Sequence, residues 1–265
     1  MTVPQTLDSD LQRSVGKLAF EIGTGGALVR MREEGCGKLR LPALLGQAPE
    51  AIIINTSGGL AGGDLFELKV EARSDLCLTT QAAEKIYRSL GQETQVFTRL
   101  VGRDKARLLW LPQETILFDG ARLERSFEAD LQENATLLAV ETVILGRRAM
   151  GESLVDFFLH DRWRIRRGGR LAYADDLRLD PARVQGLAAL NGTTAFATLV
   201  FAGPTAESFL EPLREIIADY GGVSAWDGKL VARLVGVDGF DLRKSLIPAL
   251  KLLAAPNDLP KVWTL

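Results

Sequence analysis

The sequence predicts a mainly β protein with about two α-helices near the C-terminal part. Short apolar or alternating runs recur between turn signals, as half-buried strands require. Two glycine-containing dipeptides, Gly168-Gly169 and Asp227-Gly228, sit between such runs, and two segments beyond Pro204 carry the 3.6-residue periodicity of a helix.

In chain order, strands are expected at Lys17 to Ile22, Ala27 to Arg32, Ala51 to Asn55, Leu65 to Arg73, Gln95 to Val101 and Ala106 to Leu111. Leu137 to Leu145 is a further strand: Leu137, Ala139, Glu141, Val143 and Leu145 share one face while Leu138, Val140 and Ile144 fill the other, so both faces are apolar and both are buried. Phe157 to Arg167 and Arg170 to Ala174 flank Gly168-Gly169, and Val223 to Trp226 and Lys229 to Val235 flank Asp227-Gly228, which gives two antiparallel hairpins. Thr205 caps a helix running to Tyr220, with Phe209, Leu210, Leu213, Ile216 and Ile217 on one face and Gly221 as its stop. A second helix runs from Asp241 to about Leu253, with Pro248 expected to kink it or delay its start. The tail after Pro256 reads as irregular. No linker or fixed-period repeat divides the chain, so residues 1–265 are taken as a single domain.

Apolar residues make up 46% of the chain and charged residues 25%, which is the balance of a folded globular protein. Lys and Arg number 32 against 34 Asp and Glu, so no basic field favours nucleic acid; the run from Arg162 to Arg170 is read as the solvated face of a hairpin. Met1 to Lys17 lacks the pattern of a secretory signal, and no apolar stretch approaches the ~20 residues of a membrane span. The expectation is a cytoplasmic protein without a membrane anchor, with Cys36 and Cys77 as free thiols.

Several segments could carry chemistry. Asn55 to Asp64 (NTSGGLAGGD) has the glycine spacing of a phosphate loop, but Asp64 stands where the lysine is needed, so the segment is a tight turn that fixes an acid. Thr79 to Ser89 gathers Glu84, Lys85 and Arg88 and reads, on composition, as a surface turn. Glu141, inside an apolar strand, needs a cation, a proton or a watery internal space; Arg88, Arg147 and Arg148 are candidate partners for it and for Asp64. Asp175 and Asp176 close the strand that begins at Arg170 and read as a turn feature. His160 is the only histidine; it suits half-buried packing, and with no GxSxG elbow it does not build a serine-hydrolase triad. One imidazole and two scattered thiols cannot form a strong nickel or zinc cage, which leaves only weak carboxylate contacts to a passing metal.

Taken together, Asn55 to Asp64, Thr79 to Ser89, Trp110 to Ala121 (WLPQETILFDGA), Glu141 to Glu152 and Leu259 to Leu265 (LPKVWTL) resemble, in order and spacing, the urease accessory protein UreD family, also called UreH. The resemblance spans the chain from about residue 20 to its end. It implies stacked, partly helical β-sheets with two helices and a non-catalytic role in urease maturation. It also implies complexes with the urease apoprotein, with the helical protein UreF and, through UreF, with the GTPase UreG that carries nickel.

An internal tunnel is a proposed nickel route in the family, so no cofactor is expected to be held stably and nickel is cargo in transit. By position, Asp64 matches the acid after the double glycine and Glu141 the acid before Leu-Gly-Arg, while Glu84 falls at a variable position and Asp175 corresponds loosely. These four are the candidate nickel path. Many members carry His-Pro-Pro where this chain has Asn55-Thr56-Ser57, so a nickel role for that histidine does not transfer. Leu246, Leu250 and Trp263 are the candidate partner-binding residues, as an apolar helix face with an aromatic anchor. The competing expectations are an all-β hydrolase using paired carboxylates such as Glu114 and Asp119, and a ligand-binding β protein with no assembly role.

Overall fold

Runs with one apolar face must bury it, and in this chain they do so by winding back and forth between two stacked sheets. The computed structural model describes residues 13–42, 48–147, 151, 154–184, 190 and 192–264. In chain order the strands are β1 (Val15–Ile22), β2 (Leu28–Gly35), β3 (Gly37–Arg40), β4 (Glu50–Asn55), β5 (Leu65–Ala72) and β6 (Leu76–Thr80). They continue as β7 (Glu84–Ile86), β8 (Thr94–Gly102), β9 (Arg107–Trp110), β10 (Thr115–Leu117), β11 (Ala121–Leu131) and β12 (Thr136–Leu145). The last are β13 (Phe157–Arg167), β14 (Arg170–Leu179), β15 (Ala195–Ala202), β16 (Gly221–Trp226) and β17 (Lys229–Gly236). Three helices accompany them among the described residues: α1 (Pro181–Val184), α2 (Leu210–Ile217) and α3 (Gly239–Ala254).

The first sheet has the order β14-β13-β11-β8-β5-β1-β2, and the second runs β16-β17-β15-β12-β9-β6-β4-β3, with β10 and β7 continuing alongside β12. From β4 to β13 the chain alternates between the sheets, and each return lays a strand parallel to the one laid before it. Parallel neighbours require such crossovers, and here the opposite sheet supplies them, so the sheets coil as a short β-helix. The mainly β class and the stacked sheets with partly helical winding agree with the sequence reading; of the few helices, α3 follows the last strand near the C-terminal end, and α1 and α2 lie between strands.

Two cores result. Leu18, Phe20, Leu68, Leu123, Phe127 and Trp163 from the first sheet meet Ile53, Leu78, Leu108, Leu137 and Val200 from the second. On the far side of the second sheet, Leu138, Val140, Leu199 and Leu230 are covered by Leu213 and Ile217 of α2, by Leu242, Leu246 and Leu250 of α3, and by Trp263. β12 is the layer boundary, which is why both its faces are apolar.

Several expectations change. The helix expected from Thr205 to Tyr220 is α-helical only over Leu210–Ile217, between 3-10 turns at Ala206–Phe209 and Ala218–Tyr220, and Thr205 makes no side-chain cap. Pro212 explains the late start, since it lacks an N–H and its ring would crowd the carbonyl four residues earlier; Ala218, with φ of 45°, ends the helix. Pro248, by contrast, is carried inside α3, whose start is capped by Asp238 accepting from Asp241 N at 2.8 Å. Asp175 and Asp176 lie mid-strand, because β14 continues to Leu179. Glu84 belongs to strand β7 and not to a surface turn. Leu246, Leu250 and Trp263, expected to face a partner, are fully buried, because they cover the outer face of the second sheet. The tail forms a 3-10 turn at Lys261–Trp263. Residues 1–12 of the N-terminal segment, Arg148, Glu152 and Leu265 lie outside the described residues.

Candidate functional site

Between the two sheets lies a cavity of about 340 Å³. Apolar wall residues such as Leu60, Phe66, Leu68 and Leu123 alternate with polar ones: Asn55, Glu84, Thr98, Gln113, Thr115, Arg125 and Glu141. Strand periodicity delivers these polar groups except Gln113, which lies between β9 and β10: each of the others replaces one apolar residue on the inward face of its strand.

The deepest group is a buried ion triad. Arg125 on β11 donates from Nη1 to Glu141 Oε2 at 2.5 Å, and from Nε and Nη2 to Asp161 Oδ1 and Oδ2 at 3.1 and 2.6 Å. Thr115 Oγ1 accepts a further bond from Arg125 Nη1 at 3.2 Å, and Trp110 Nε1 donates to Glu141 Oε1 at 2.8 Å. Arg125 and Asp161 are direct register partners on β11 and β13, so the guanidinium and carboxylate meet side by side in the sheet. One cation serves two carboxylates. Burial raises the Glu141 pKa above the ordinary carboxylate range, Arg125 opposes that shift and Asp161 adds to it. Burial would lower the Arg125 pKa, but Asp161 and Glu141 outweigh it and hold it above the usual arginine value.

Glu84 is arranged differently. Asn55 Nδ2 donates to both of its carboxylate oxygens at 3.1 Å, and among the described residues no cation pairs with it. Burial pushes its pKa up to about 6, against the smaller opposing effects of the Asn55 amide and Lys85. The glycine-rich turn brings this strand close: a Cβ on Gly59, whose φ is 143°, would sit 2.4 Å from the Tyr87 ring and 2.9 Å from the Lys85 carbonyl oxygen.

Of the four acids singled out from sequence, the fold brings Glu84 and Glu141 to one cavity. Asp64 is buried elsewhere, accepting from the backbone N–H of Ser14 at 2.7 Å and of Ala61 at 2.8 Å, which fastens the start of β1 to the glycine turn. Asp175 accepts from Arg233 of β17 and joins the two sheets. The cation partner of Glu141 is Arg125. Arg88 instead pairs with Asp119 at 2.5 Å, and the Arg147 guanidinium lies 4.2 Å from the Phe118 ring centre. His160 is half-buried, with Nε2 2.7 Å from Asp176 Oδ1. Arg125, Asp161 and the Asn55 amide escaped the sequence reading, although Arg125 and Asp161 each interrupt an apolar alternation.

The paired-carboxylate hydrolase gains no support. Glu114 is held in a two-point ion pair by Arg243 at 2.6 and 3.1 Å, and two backbone N–H bonds, from Asp156 and Val155, hold Asp119 below the ordinary carboxylate range. Among the described residues no three His, Cys, Asp or Glu side chains are grouped to hold a metal, and no helix is long and apolar enough to cross a membrane.

Fold and site define a mainly β protein of two coiled sheets with a cavity between them whose wall carries Glu84 and Glu141. Residues 13–264 match the model of the UreD urease accessory protein family. "Urease accessory protein UreD" of Rhizobium leguminosarum bv. viciae is 48% identical over 258 residues, covering 94% of each chain. Its namesake in Agrobacterium fabrum is 48% identical over 88% of this chain and 84% of its own, and that of Mesorhizobium japonicum is 40% identical over 96% and 95%. The chain belongs to the UreD family of urease accessory proteins.

Proposed function

We propose that this chain is a non-catalytic cytoplasmic scaffold and metallochaperone that helps load nickel into apo-urease, in complexes with UreF and the GTPase UreG. The observation that carries this reading is the intersheet cavity with Glu84 and Glu141 in its wall, in a chain of this family. Carboxylates attract a divalent cation without trapping it as a cluster of thiolates and imidazoles would, and a transit site needs that balance. Nickel is the cargo. GTP hydrolysis belongs to UreG, in keeping with Asp64 occupying the place of a phosphate-loop lysine.

Reconstitution tests this. Apo-urease, UreF, UreG, GTP and nickel are combined with and without the purified chain, and urease activity is followed. The expected outcome is activation that depends on the chain, while the chain alone turns over neither GTP nor urea. Equal activation without it, or GTP turnover by the chain that survives removal of contaminating GTPase, overturns the reading. Glu141→Leu and Asp64→Ala then ask whether either acid serves the route: loss of activation with stability and assembly retained supports that role, and unchanged activation rejects it.

A further inference from the structure

The C-terminal helix reaches the cavity wall through one side chain. Arg243 on α3 donates from Nε to Glu114 Oε1 at 2.6 Å, and from Nη2 to Glu114 Oε2 at 3.1 Å and Gln113 Oε1 at 2.8 Å. Its guanidinium lies 5.2 Å from the ring centre of Trp263, whose Nε1 donates to the Leu111 carbonyl at 2.9 Å. Among the described residues, Arg243 is the sole hydrogen-bond partner of the Gln113 and Glu114 side chains.

The segment so held touches the Glu141 carboxylate and the Glu84 backbone. Trp110 at its start donates to Glu141, Thr115 at its end accepts from Arg125, and the Glu114 carbonyl accepts the Glu84 N–H at 2.8 Å. Residues 111–114 lie between β9 and β10 and belong to no strand; their backbone is held by Leu111 N–H donating to the Leu78 carbonyl at 2.8 Å, by Thr79 Oγ1 donating to the Leu111 carbonyl at 2.7 Å and by Gln113 N–H donating to Thr80 Oγ1 at 2.9 Å, and Arg243 holds the side chains of Gln113 and Glu114. Gln113 is buried in the cavity wall with its Oε1 taken by Arg243, and its Nε2 has no protein partner. A guanidinium only donates, so Arg243 draws the amide oxygen of Gln113 towards itself and turns Nε2 away.

We propose that Arg243 is a positioning residue for the cavity, setting from α3 the wall that presents Glu84 and Glu141. The inference rests on the cavity being the cargo route. Helix attachment does not require Arg243: Leu242, Leu246 and Leu250 are fully buried, and Arg107 grips the far end of α3 through the carbonyls of Leu253 and Ala255 at 2.6 and 2.7 Å.

The test compares Arg243→Gln, Arg243→Lys and the cavity-filling Val96→Phe in the full chain, assembled with its accessory partners. Hydrogen exchange, thermal midpoint and nickel-dependent urease activation are measured on the same preparations. Arg243→Gln should speed exchange about tenfold or more in residues 110–117 and 84–86, leave α3 protected, and lower activation several-fold; Arg243→Lys should recover part of the loss. Unchanged exchange in those segments, equal loosening of α3, or full activation by Arg243→Gln overturns the positioning role. Should Arg243→Gln fail to fold, Glu114→Gln removes the same ion pair from the other side and is judged by the same outcomes. Full activation by a folded, assembled Val96→Phe overturns the cargo-route reading and the inference with it. Activation lost in Val96→Phe but kept in Arg243→Gln overturns the inference alone.

Discussion

Removing Arg125 should expose the energetics of the site most directly. Its guanidinium makes three hydrogen bonds within the triad, to Glu141 and to both oxygens of Asp161, and a fourth to Thr115, and both carboxylates are at most 5% exposed. Arg125→Met keeps an apolar stem but strands two buried negative charges. Breaking a buried pair from one side costs ~3–5 kcal/mol, and with two carboxylates orphaned the upper end, about 5 kcal/mol, is expected. At ~2–4 °C per kcal/mol in a chain of this size, the melting midpoint should fall by about 10–20 °C. The loss should shrink as pH falls. Orphaned carboxylates have folded pKa values above their unfolded ones, so their charge destabilises increasingly as pH rises from about 4, and protonation below that relieves it. Arg125→Met/Glu141→Gln/Asp161→Leu should recover most of the stability, because no buried charge remains and the amide oxygen introduced by Glu141→Gln would still accept from Trp110. Circular dichroism melts from pH 4 to 8 measure all of this. A loss below about 1 kcal/mol in the single variant, or an equal loss in the triple variant at neutral pH, would falsify the charge argument.

Glu84→Gln should stabilise the chain at neutral pH by at most about 2 kcal/mol, since the folded pKa of about 6 lies above the ordinary 4.5. That gain should fade as pH falls from 6 to 4.5, and urea titrations that show a pH-independent difference would contradict it. Asp64→Ala leaves the N–H groups of Ser14 and Ala61 without their acceptor; a loss of about 2–4 kcal/mol is expected, with faster hydrogen exchange at residues 14–16, and unaltered exchange there would count against the staple. Trp263→Ala should cost about 3–5 kcal/mol by opening the helix-side core. Weakened UreF binding at unchanged stability would instead restore the docking role.

Much of this fold was legible because burial writes its own period. The double-faced apolarity of Leu137 to Leu145 marked a strand between two cores, and the run of β15 (AFATLVFA), apolar but for Thr198, says the same of its neighbour. If both faces of the second sheet are buried, something must cover its outer side, and Leu246, Leu250 and Trp263 are the residues that do. An apolar helix face is the same pattern whether a partner or its own sheet receives it; only that layer count decides. The triad was half legible. Leu123, Arg125 and Phe127 share one face of β11, and Leu159, Asp161 and Trp163 share one face of β13, so each strand carries a single charge among apolar neighbours, as β12 carries Glu141. Three solitary inward charges of sign plus, minus and minus could have been matched to one another before Arg88 or Arg147 was considered. What hid the match was topology: one turn of the winding separates Trp110 from Glu141 by 31 residues and Arg125 from Asp161 by 36, spacings that no local pattern reports. Glu84 left no such trace. Its strand is three residues long, and its surroundings are made by Asn55 at the end of β4 and by the Glu114 carbonyl between β9 and β10, so its burial exists only once the two sheets have closed on it.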